Sequence, residues 1–138
     1  MSNIEPFPLN ALAVVPVANV SQTAWSAAVD PQAIAQLFDG LPATEAEDRL
    51  CRILEALALW LQATVDAHAD GRVSSMVEPA RRIASAAEQI GLREVVCAAN
   101  HVLNCLRQSD ATALAAVMGR LERAFDLAVT SIWDIVAF

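Results

Sequence analysis

Beyond about residue 30, apolar positions recur at helical spacing and the polar residues between them mark the breaks. Leu50, Ile53, Leu54, Leu57, Leu61 and Val65 follow the rhythm of one buried helix face. Thr44 and Glu47 precede that stripe at capping-box spacing, and Asp70-Gly71 predicts its stop. A second stripe, Met76, Val77, Ala80, Ile83, Ala84, Ala87 and Ile90, predicts a helix over roughly 75–90 closed by Gly91. Pro79 leaves two openings for it: a helix capped by Ser75 and Glu78 with a distorted first turn, or a regular helix starting at Pro79. Val95, Val96, Ala99, Val102, Leu103 and Leu106 form the next inward face, and Ser109-Asp110 supplies the cap that follows. The last helix, roughly 111–136, turns Leu114, Val117, Met118, Leu121, Phe125, Ala128, Val129, Ile132 and Ile135 inward and Arg120 and Arg123 outward.

The start of the chain breaks this rhythm. Asp30-Pro31 is an N-cap followed by proline at the first helical position, and Asp39-Gly40 closes the short helix so begun. Residues 1–29 hold Pro6, Pro8 and Pro16 and have no helical period, which predicts an extended arm with a strand-like piece around Ala13–Val20. The expected domain is residues 30–138. Its class is all-α: an up-down antiparallel four-helix bundle with a short N-terminal helix and the extended arm.

Composition narrows the functions this domain can serve. A 138-residue chain is one domain's length, and 56% hydrophobic residues with only four glycines favour helices over sheets. All nine cations are arginine, so no lysine is present for a Schiff base or a P-loop phosphate clamp. The net charge of -7 and the scatter of arginines from Arg49 to Arg123 argue against nucleic-acid binding. The three cysteines, Cys51, Cys97 and Cys105, fall within helical patterns, which suits a reducing cytoplasm. The apolar run Leu9–Val20 is too short to span a bilayer, is broken by Pro16 and lacks a basic leader, so neither membrane anchor nor signal peptide is expected.

Candidate chemistry is sparse, and no cofactor is implied. His68 falls near the end of the Thr44 helix, where an imidazolium interacts favourably with the helix dipole. Cys97, His101 and Cys105 are spaced four apart on the side opposite the Val95–Leu106 face, and soft ligands of this kind can hold zinc. One straight helix aims only two such residues at one ion, so the competing reading is a second packing face, against the arm or a second copy in a homodimer. On the second helix Glu78, Arg82, Ser85 and Gln89 project outward, while Arg81 sits at the boundary of the core face.

The segment "ARRIASAAEQIG", with the hairpin turn Asp70-Gly71 before it and Gln108-Ser109-Asp110 after the next helix, resembles the histidine phosphotransfer (HPt) domains that pass phosphoryl groups between receiver domains. The resemblance is one of order and spacing and covers about residues 44–136. It places Ala80 at the family's alanine, Ile83 at its leucine, Ser85 at its glycine, Ala86 and Ala87 at its small residues, and Ile90-Gly91 at its terminal pair. Arg81 then occupies the phosphorylated histidine's place and Ala84 the neighbouring lysine's. Arginine stays protonated at neutral pH and is no nucleophile for a phosphoryl group, so the resemblance implies a non-catalytic relative. It would bind a response-regulator receiver domain, or a histidine kinase, through the Arg81–Gln89 face. Two alternatives are a working phosphotransfer protein that uses His68 or His101, and a structural module that dimerises through the Cys97–Cys105 side or the arm.

Overall fold

In a computed structural model, residues 28–136 are described, with side chains through Asp134, so the arm over residues 1–27 lies outside the described residues. Asp30 opens helix α1 (Pro31–Phe38) by accepting the Gln32 amide on Oδ1 at 3.0 Å, with Pro31 in the first turn where its missing N–H costs nothing. Ala28 and Val29, just ahead of this cap, are buried.

Helix α2 runs Ala43–Ala69, a short 3-10 turn covers Val73–Met76, and α3 (Val77–Gln89), α4 (Arg93–Gln108) and α5 (Ala111–Val136) follow. The fold is all-helical, with no strand among the described residues. Helix α2 packs on α3, α3 on α4 and α4 on α5, while α2 meets α5 lightly and α1 lies against α2.

Three helices end in the same way. Leaving α2, the Arg72 amide reaches the Ala67 carbonyl at 2.8 Å with Gly71 at φ 74°. Leaving α3, the Leu92 amide reaches Ala87 at 2.9 Å with Gly91 at φ 69°. Leaving α4, the Asp110 amide reaches Cys105 at 3.1 Å, but the left-handed residue is Ser109, at φ 56°. Each is the Schellman closure that satisfies otherwise orphaned carbonyls. Asp110 then accepts the Ala113 amide at 3.1 Å, the cap expected for the last helix.

The expected capping box does not form. Pro42, at φ -61° and ψ 147°, is the N-cap of α2 and makes no side-chain cap bond, and the helix is already under way at Ala43. Thr44 therefore lies inside the first turn, where its hydroxyl cannot cap from ahead. Neither opening expected for the next helix holds either: the 3-10 turn leads into an α-helix that starts at Val77, with Pro79 as its third residue. That position lacks an intrahelical acceptor in any case, so the ring is accommodated without a lost hydrogen bond.

The core joins all five helices and the 3-10 turn through Ile34, Leu50, Leu57, Met76, Ile83, Ile90, Leu92, Val95, Val102, Leu121 and Ile132, each about fully buried. Burying a side chain of this size is worth about 1.5–3 kcal/mol. Thr64 is buried among them, with its hydroxyl donating to the Trp60 carbonyl at 2.8 Å.

Gly91 is the glycine at which an added Cβ would be most crowded. A Cβ there would lie 2.7 Å from Asp30 Cβ and 2.8 Å from Ala33 Cβ, whereas one at Gly40, φ 79°, would meet nothing within 4 Å. Gly40→Ala should therefore cost only the left-handed penalty of about 1–2 kcal/mol, and Gly91→Ala a further 1–3 kcal/mol of overpacking. Ser109→Gly should stabilise the fold by up to about 1 kcal/mol, because Ser109 carries that left-handed penalty now. Urea unfolding of the three variants checks the order, and a Gly91→Ala midpoint equal to that of Gly40→Ala would contradict the packing argument.

Candidate functional site

Helix α3 carries Arg81 and Arg82, both exposed. Adjacent residues on an α-helix point about 100° apart, so the two guanidinium groups meet different neighbours. Arg82 turns toward α2. Its Nε donates to Glu78 Oε2 at 3.2 Å, one turn back on α3, and its guanidinium carbon lies 5.8 Å from the centroid of the Trp60 ring. Trp60, Asp66, Arg72, Glu78, Pro79 and Arg82 are among the residues lining a cleft of about 400 Å³ between the two helices. Both cation and carboxylate are largely solvated, so their attraction is screened and small.

Arg81 turns toward α4. It lines a cleft of about 530 Å³ with Val77 from its own helix and Asn100, Leu103, Leu106 and Arg107 from α4. The Arg107 guanidinium donates to Asn104 Oδ1 at 2.9 Å. Among the described residues neither Arg81 nor Arg107 forms an ion pair with a carboxylate, in contrast to Arg72, Arg82 and Arg93. The cleft thus presents two cations beside an apolar lining of valine and leucine, a surface matched to a carboxylate carried on an apolar segment.

The face expected over Arg81–Gln89 is accordingly divided. Glu78 and Arg82 belong to the α2 side and Arg81 to the α4 side. Gln89 lines a third cleft, of about 610 Å³, with Ala33, Gln36 and Leu37 of α1 and Arg49 and Ile53 of α2, and Ser85 is exposed. Arg107 and Asn100 were not among the candidates. The signal was present, since Asn100, Leu103 and Arg107 follow the i, i+3, i+7 spacing of one helix stripe. Nothing in the sequence told which neighbour that stripe would face.

The soft-ligand stripe on α4 is also corrected. Cys97 and His101 are exposed, with Sγ and Nε2 3.9 Å apart, but Cys105 is only 8% exposed and belongs to the core. Residues four apart advance about 400°, so the stripe drifts about 40° per step and its third member crosses into the buried face. No group of three or more His, Cys, Asp or Glu side chains positioned to hold a metal ion occurs among the described residues. His68 is half-buried in the last turn of α2, far in sequence from both.

No protein-family model matches this chain, and no curated protein or solved structure is significantly similar to it.

Two measurements check this geometry. Cys97 should react with an aromatic disulfide reagent in the native state, Cys51 more slowly, and Cys105 only on unfolding, following their exposed, intermediate and buried positions; fast native labelling of Cys105 would contradict its placement. Arg82→Ala should lower stability by about 0.5–1 kcal/mol through the lost ring contact and screened pair. Arg81→Ala should change it by less than about 0.5 kcal/mol, as for a surface side chain away from such features.

Proposed function

We propose that this chain is a non-catalytic HPt-like signalling protein that binds the acidic pocket of a response-regulator receiver domain, or the corresponding surface of a histidine kinase, in the cytoplasm. In this reading α2 to α5 are the up-down four-helix bundle of that family and α1 is the short helix laid across its end. Short connections between successive helices, with serial packing from α2 to α5, support that arrangement.

The observation that carries the proposal is Arg81: an exposed cation without a carboxylate partner among the described residues, at the position where the resemblance expects the phosphorylated histidine. A guanidinium cannot accept a phosphoryl group as a neutral imidazole does, but it can pair with the carboxylates of a partner. Arg107, across the same cleft, supplies a second cation for that partner, and the leucines beside it supply area.

A second reading rests on His101, which is exposed and beside small residues on α4. An imidazole so placed is accessible to a phosphorylated donor, and a phosphotransfer role through it is the alternative to pure docking.

One experiment separates the two. Receiver binding is titrated for the parent chain and for Arg81→Glu, Arg107→Glu and Arg82→Glu, alongside a labelling assay with phosphorylated receiver. Docking through the α3–α4 cleft expects tenfold or greater weakening for the first two, about 1.4 kcal/mol or more each, little change for Arg82→Glu, and no phosphohistidine. Undiminished binding by Arg81→Glu removes the docking surface, and label that disappears in His101→Ala replaces it with the second reading.

A further inference from the structure

We infer that Cys97 and His101 are half of a zinc site, completed by the same two side chains of a second copy of this chain. The proposal does not rest on the signalling role. It begins from an unusual exposure: free cysteine is among the most buried residue types, yet Cys97 stands in solvent one helical turn from an exposed imidazole.

The distance between them fits a shared metal. Zinc binds thiolate sulfur at about 2.3 Å and imidazole nitrogen at about 2.0–2.1 Å, and a tetrahedral angle then sets sulfur and nitrogen about 3.5 Å apart. Cys97 Sγ and His101 Nε2 lie 3.9 Å apart. A small rotamer adjustment of two exposed side chains closes the difference. A thiolate with an imidazole also selects a soft or borderline ion over calcium or magnesium.

One chain cannot finish the coordination. No third His, Cys, Asp or Glu joins the pair among the described residues, and Cys105, the next residue of the stripe, is committed to the core. Two positions on a tetrahedral ion remain, and a twofold axis through the ion fills them with a second Cys97 and His101. Two thiolates then cancel the charge of the dication, with two neutral imidazoles completing the shell. Each Cys97 thiol releases its proton to solvent as its sulfur–zinc bond forms. Two chains of net charge -7 repel one another, so the contact depends on the metal.

The test uses the full chain, stripped of metal under reducing conditions and then titrated with zinc or cobalt. The expected result is monomeric mass without metal, doubled mass at one zinc per two chains, and the thiolate charge-transfer and tetrahedral ligand-field bands with cobalt. Cys97→Ser and His101→Ala should each abolish the mass change and the bands while circular dichroism stays helical, and Cys51→Ser and Cys105→Ala should leave them. Zinc bound one per monomer, a dimer that forms equally well without metal, or cobalt spectra unchanged by Cys97→Ser would each overturn the proposal.

Discussion

The carbonyl of Gly91 accepts the Asp30 amide at 2.8 Å, and at this turn the chain has no room for any side chain. Asp30 holds three elements there at once: its carboxylate caps α1, its backbone is tied to the α3–α4 turn, and its Oδ1 lies 3.8 Å from the Arg93 guanidinium in the first turn of α4. The ion pair is exposed and worth little, so the restraint is steric and comes from Gly91. It sets where α1 lies and therefore the wall that Ala33, Gln36 and Leu37 give to the neighbouring cleft. It also draws α3 and α4 together at one end. Val77 and Arg107, many residues from Gly91 on either side, border the cleft between the same two helices.

Local signals in the sequence were legible where one residue decides the outcome alone. Asp30 and Asp110 cap as expected, and Gly71 and Gly91 take the left-handed positions expected of them, because a carboxylate or a missing Cβ acts over two or three residues. Thr44 failed for the same kind of reason: the helix is entered two residues earlier, at Pro42, which takes the N-cap position without a side-chain cap bond and leaves Thr44 inside the first turn. The inward stripes held because helical periodicity is read over many residues, with Leu50, Leu54, Leu57, Ile83 and Leu121 all buried. At the margins of each stripe the pattern loses resolution. Ala98 and Thr64 are buried, although small or weakly polar residues give little hydropathy contrast to place them, and Cys105 is buried because its stripe drifts into the core face.

The candidate site was less legible than the fold because it depends on which helices become neighbours. Arg81 and Arg82 are adjacent in sequence and similar in chemistry, yet one meets a tryptophan from α2 and the other a second arginine from α4. Periodicity assigns each residue an angle on its own helix and says nothing of the partner at that angle. Arg107 and Trp60 could enter the picture only once the order of packing was known.

Helix α4 brings the two proposed surfaces into one geometric argument. At about 100° per residue, Asn100, Leu103 and Arg107 cluster about 110° around the helix from Cys97 and His101. The core stripe through Val95, Ala98, Ala99 and Val102 lies between them on the buried side. A second copy held by zinc at Cys97 and His101 would thus approach α4 from a direction different from that of an acidic segment entering beside Arg81 and Arg107. The two occupants do not compete for a side chain, so a zinc-bridged pair would present two docking clefts related by its twofold axis. A partner carrying two acidic segments would gain from that arrangement through effective concentration, while a partner carrying one would bind each copy independently.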